Sequence, residues 1–412
     1  MADMISPQAV AVLLAELVRC PSVTPLAGPA GQGPYGEGRY AALLGDKLRA
    51  LGAAVELREV EPGRPNLVAR FDGPAGAPAV MFEAHSDTVT IDGMTIDPFA
   101  AEVRDGRLYG RGACDTKAAM AAMLLAVEQV LADEGGLSAT VYVVSTCGEE
   151  ITGLGAKALV EEGFFASGDV DVAIVGEPTD LDIIHASKGS GRFRVETRGK
   201  AAHSSAPADG VNAIYQMAHV VAAIEREVAS ALAAMNDPLL GSPTVSVGTI
   251  RGGSQVNVVP DGCTIDVDTR LIPGQTFEAM AALMREVLDR AKAARADLDY
   301  VIHNRPAYPA FFIDPEAPLP ALVARACREA LGRATVTTAP WASNAGIFAE
   351  AGIPSVLLGP GSIAQAHTCD EFVEIDQVVQ AARVYAAILR AYSGAEAPAP
   401  GARGDSNDAE SA

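Results

Sequence analysis

Histidines and carboxylates of the kind that hold divalent metals recur along this chain just after apolar runs that read as strands. His85 and Asp87 follow AVMFEA (79–84), Glu149 and Glu150 follow TVYVVST (140–146), and Glu177 follows VAIVG (172–176). Asp115 stands in GRGACDTK just ahead of a helical pattern, and His367 stands in GPGSIAQAHTCDE after PSVLLG (354–359). In open α/β sheets the C-terminal strand ends are where loops converge into a site. Carboxylates gathered there repel one another and resist desolvation unless a cation neutralises them. Imidazole and carboxylate donors without thiolate favour zinc, with cobalt or manganese as substitutes. The charges of two such ions are balanced by Asp115, Glu150, Glu177 and one hydroxide.

The elements that must position these residues read as an α/β fold, a doubly wound mixed sheet. From about 40 to 185, short apolar runs alternate with helical patterns, among them the apolar helix TKAAMAAMLLAVEQVLADEG (116–135). The same texture returns after about 300 and closes on a helix over 376–392. Between the two parts the order changes to strand, helix, strand, strand, helix, strand, which is that of a ferredoxin-like unit. The spacing therefore predicts a domain over 187–300 inserted into a larger one made of 1–186 and 301–393. At the N-terminus, Ser6 reads as a helix cap with Pro7 at the first helical position. Residues 394–412 contain no large apolar side chain and are expected to form a disordered tail.

Composition narrows the partners. A formal charge of -21 repels phosphate backbones, so nucleic acid is not expected. No apolar run reaches the roughly 20 residues that span a bilayer, so no membrane is expected either. The N-terminus begins with an acid and lacks the features of a signal peptide. The six cysteines are scattered without a CxxC pair, as suits reduced thiols and a cytoplasmic location.

Seven ordered motifs, HSDTV, GRGACDTKAAMAAML, STCGEE, VGEPT, GKAAHSSAPADGVNAI, GGSQVNVVPD and GPGSIAQAHTCDEF, carry a family resemblance over about residues 5 to 392. Together they resemble the two-zinc metallopeptidase family that includes acetylornithine deacetylase, succinyl-diaminopimelate desuccinylase, aminoacylase and glutamate carboxypeptidase. The last motif is similar to the acetylornithine deacetylase branch.

The resemblance implies that His85, Asp115 and Glu177 hold one zinc and Asp115, Glu150 and His367 the other. It implies Asp87 behind His85, hydrogen-bonded to the far ring nitrogen, and Glu149 as general base for a water shared by the metals. His203 is implied to come from a partner subunit's lid and to steady the tetrahedral oxyanion, hence a homodimer in which 187–300 is the lid and dimerisation domain. Asn257 and Arg270 are implied to grip a substrate carboxylate, a task suited to the planar fork of arginine. Gly361, with Gly359 and Pro360, is implied to shape the turn against the substrate before His367.

In WASNAGIF the family frequently has an acid where Asn344 stands. An amide there is expected to touch the substrate and to favour a less basic amino acid than ornithine. The function implied is zinc-dependent removal of an acyl group from an N-acyl amino acid with a free carboxylate, N-acetylornithine first among them. A dipeptidase, a carboxypeptidase or a succinyl-diaminopimelate desuccinylase would share every catalytic residue, and a non-catalytic carboxylate binder is the remote alternative. A binder would have no need of the base Glu149.

Overall fold

Local signals set the elements that carry the site. In the computed structural model, which describes residues 4–26, 28–165 and 170–392, Ser6 accepts the Ala9 N–H and Pro7 opens the helix Pro7–Val18. The tail read at 394–412 lies outside the described residues. The helix Lys117–Glu134 is buried without a break from Lys117 through Val127 and ends at Gly135, whose φ of 70° suits a residue without Cβ. It packs against the helix Ile375–Ala391.

The chain forms two units. The first runs to His185 and resumes over Phe312–Thr338 and from Ser343 onward; the second comprises Ala186–Phe311 and Ala339–Ala342. The first unit is built on a large mixed sheet whose strands lie in the order Ala54–Glu61, Arg64–Phe71, Thr140–Ser145, Ala79–Glu83, Val172–Val175, Ser355–Leu357. The last four run parallel to one another, and the first two are antiparallel to each other, with Arg64–Phe71 also antiparallel to Thr140–Ser145. Ala79–Glu83 and Val172–Val175 are buried along their whole length, as expected of strands covered by helices on both faces. Four parallel strands therefore end on one edge, and the loops leaving that edge hold the metal-type residues.

In the second unit the strands Gly189–Arg198, Thr244–Gly252, Gly262–Leu271 and Tyr300–Asn304 are interleaved with the helices Ala213–Ala223 and Phe277–Ala294. The sheet is antiparallel throughout, and Met217, Val220, Met280 and Met284 close over Phe193, Val195, Ile265 and Val267. The boundaries differ from those read in the sequence. This unit reaches Phe311 rather than 300, because Tyr300–Asn304 bonds to Gly189–Arg198 with Ile302 opposite Val195. Among the described residues no helix is long and apolar enough to cross a membrane. All six cysteines are unpaired.

Candidate metal centre

His85, Asp115, Glu149, Glu150, Glu177 and His367 all belong to the first unit. His85 leaves the strand Ala79–Glu83, Glu149 and Glu150 follow Thr140–Ser145, Glu177 follows Val172–Val175, and Asp115 precedes the buried helix. Asp115 stands between the histidines: its Oδ1 lies 2.9 Å from His85 Nε2 and its Oδ2 lies 3.3 Å from His367 Nε2. His367 Nε2 is also 2.9 Å from Glu150 Oε2. The set His85, Asp115, Glu177 offers three ligand atoms within 4.8 Å of one another, and so does the set Asp115, Glu150, His367. Asp115 belongs to both.

Burial and like charge dominate the electrostatics. Burial, with repulsion from Glu150, Asp87 and Asp115, drives the Glu149 carboxyl well above the usual range. Burial and the Glu149 and Asp115 charges do the same to Glu177, and burial with Asp115 pushes Glu150 up to about 7. Burial alone would raise Asp115, but its bonds to His367 and His85 pull it below its ordinary value. Burial opposes charge on His85, yet the Asp115 bond and the surrounding carboxylates raise it well above the ordinary imidazole value; hydrogen bonds to Asp115 and Glu150 raise His367 to about 10. Protonated imidazoles thus neutralise carboxylates in the metal-free protein, in the places where cations would. The donors fit divalent metal on a second count. Glu150 Oε1 is buried without a hydrogen-bond partner, and nitrogen and oxygen donors without thiolate suit zinc.

Three expectations need correction. Asp87 does not bond His85 through its carboxylate, which lies 3.7 Å from Nδ1; the backbone carbonyl of Asp87 takes that nitrogen at 2.9 Å. The carboxylate instead accepts the Glu149 and Glu150 N–H groups, at 2.9 and 3.2 Å, and the Thr24 hydroxyl at 2.8 Å. Asn344 is 1% exposed, and its amide nitrogen donates to Glu83 Oε1 and Thr146 Oγ1, so it is an interior residue rather than a substrate contact. Gly361 spends its N–H on Gln377 Oε1, and at φ +93° a Cβ would lie 2.5 Å from Cys114 Sγ. It serves close backbone packing and has no donor left for a ligand.

Glu371 was not singled out in the sequence, yet it organises the loop that presents Asp115. Fully buried, it accepts the N–H groups of Cys114 and Asp115 on one oxygen, and the Gly112 N–H and Arg111 Nη1 on the other, all within 2.7–3.0 Å. The only trace in the sequence is an acid four residues after His367.

His203, Asn257 and Arg270 lie in the second unit. His203 ends the short strand Ala202–His203 opposite Val258, and Ser204 N–H donates to the Asn257 carbonyl, so the first two are exposed neighbours. Ser205 donates its N–H to His203 Nδ1. Arg270 lies on the strand Gly262–Leu271 with Nε and Nη2 on Asp268, at 2.9 and 3.4 Å.

A family model, peptidase family M20/M25/M40, matches residues 81–391. Acetylornithine deacetylase of Myxococcus xanthus is 34% identical over 355 residues, 84% of this chain and 90% of that protein. The enzyme of the same name from Vibrio campbellii is 32% identical over 338 residues, 81% of this chain and 86% of that protein. A tripeptidase from Staphylococcus aureus has a similar structure, with a TM-score of 0.76 and 26% identity over 94% of this chain and 98% of that one. So has a dinuclear metal-binding peptidase from Bacillus subtilis, with a TM-score of 0.66 and 19% identity over 94% of this chain and 99% of that one.

Proposed function

This chain belongs to peptidase family M20/M25/M40 and hydrolyses amide bonds, and from that premise we propose that it deacylates an N-acyl amino acid with a free carboxylate, N-acetylornithine first among candidates. The observation that carries the reading is Asp115, shared between two sets of ligand-type atoms.

His85, Asp115 and Glu177 would hold one zinc and Asp115, Glu150 and His367 a second, with cobalt or manganese as substitutes. When bound, such ions lower the pKa of water toward neutrality and polarise an amide oxygen. Glu149 takes the proton of the attacking water on its carboxylate and passes it to the leaving amine nitrogen. Asp87 holds the backbone on which Glu149 sits.

His203 of the partner subunit would donate an N–H to the tetrahedral oxyanion, the second unit serving as lid and dimerisation domain in a homodimer. Arg270 and Asn257 would receive the substrate carboxylate. Asp268 already occupies the Nε edge of the Arg270 fork, which leaves its far edge for that purpose. Six unpaired cysteines fit a reducing compartment, and we place the protein in the cytoplasm.

Steady-state kinetics on N-acetylornithine, other N-acetyl amino acids, N-succinyl-diaminopimelate and dipeptides test the assignment. A kcat/KM preference of about tenfold or more for acetylated substrates is expected, and a smaller one overturns deacetylation as the main activity. The second reading, a peptidase of short peptides, is favoured by the likeness to the tripeptidase, and a preference for dipeptides would establish it.

A further inference from the structure

Four consecutive backbone N–H groups lead into and through the acidic pair, and each donates to a side-chain oxygen. Cys147 donates to Asn66 Oδ1 at 3.0 Å, Gly148 to Glu37 Oε1 at 3.2 Å, and Glu149 and Glu150 to the two oxygens of Asp87. Glu37 is separated from Gly148 by 111 residues and is fully buried. Arg64 grips it with Nε 3.0 Å from Oε2 and Nη2 2.8 Å from Oε1, and places Nη1 on Glu61. The Arg64 side chain is only 10% exposed. Gly148 has φ +70°, and a Cβ there would lie 2.9 Å from Arg64 Nη2, so the turn is seated directly against the clamp. Asn66 adds a bond from Nδ2 to the Gly155 carbonyl, while Gly155 N–H returns to the Cys147 carbonyl.

We propose that Glu37, neutralised and oriented by Arg64, is a positioning residue for the turn that aims Glu149 and Glu150. A carboxylate beside this acid-rich loop would be repelled without a cation, and Arg64 supplies one while leaving Oε1 able to accept from Gly148. Glu37 thereby acts on proton transfer through Glu149 and on the metal set through Glu150. The inference rests on the roles given above to those two residues.

Paired variants test it without stranding a buried charge. Glu37→Ala/Arg64→Met removes the oxygen that receives Gly148, and Glu37→Gln/Arg64→Met keeps one. The alanine pair should melt cooperatively and lose at least about tenfold in kcat with KM within about threefold, because a small misplacement of a catalytic group is felt mainly in turnover. Titration with zinc alone should show one of its two binding steps weakened by roughly 10- to 100-fold, as for loss of a residue that orients a ligand. The glutamine pair should recover both quantities to within about threefold of the wild type.

A lower melting temperature with kcat and zinc affinity unchanged, or equal losses in the two pairs, would overturn the proposal. Should the alanine pair fail to fold, Glu37→Leu/Arg64→Met fills the space while still leaving Gly148 without an acceptor, and an unchanged kcat and zinc affinity there would overturn it too. The zinc titration needs no substrate, so a wild type inactive on every amide tested would refute the proposed reaction while leaving the clamp open to this measurement.

Discussion

His367 Nε2 lies 2.9 Å from Glu150 Oε2 although 217 residues separate them in the chain. The pair closes one of the two ligand sets that share Asp115, and hydrogen bonds to Asp115 and Glu150 raise the affinity of His367 for a proton at the atom a cation would take. Metal and protons therefore compete for the same atoms.

Stability of the metal-stripped protein should fall as pH rises. His367, raised from 6.5 to about 10, contributes fully below its unfolded value and loses that contribution as pH climbs through about 10. Glu150 is raised from 4.5 to about 7, so the folded chain keeps a proton that the unfolded chain releases first; this contribution fades between those values, and Glu149 and Glu177 act in the same sense. Melting temperatures of chelator-treated protein should drop from about pH 5 to about pH 9, and added zinc should raise them most at the alkaline end. A rise of Tm with pH in the stripped protein would contradict this.

Replacing Glu149 with Gln should leave the metal content near that of the wild type and cut kcat by at least about a hundredfold, as loss of a general base does. Elemental analysis beside steady-state kinetics checks both halves. Unchanged turnover would refute the role.

Glu371→Ala should strip four donors of their acceptor and release the loop that presents Asp115. Metal affinity should weaken by roughly 10- to 100-fold. Isothermal titration with zinc is the measurement, and an affinity equal to that of the wild type would show that the loop holds its shape without Glu371.

Asn344→Asp separates an interior role from one in substrate selection. An acid in place of the amide removes the donor to Glu83 and Thr146, which should cost roughly 1–3 kcal/mol of stability. The ranking of acetylated substrates should not change. A reordered ranking at unchanged stability would return Asn344 to the substrate pocket.

What the amino-acid order determined by itself was the inventory of the site and the elements that carry it. Histidine and carboxylate at the ends of VAIVG, AVMFEA and TVYVVST are visible as residue types beside apolar runs, and in a parallel sheet such ends fall on one edge. Only the tertiary structure decided which oxygen meets which hydrogen. It turned the Asp87 carboxylate from His85 toward the Glu149 and Glu150 amides, buried Asn344 against Glu83, and brought Glu371 beneath Asp115 and Glu37 beneath Gly148. Periodicity and capping arise between residues a few positions apart, so they can be read along the chain. A hydrogen bond spanning more than a hundred residues depends on how whole strands and helices pack, and no local pattern encodes it.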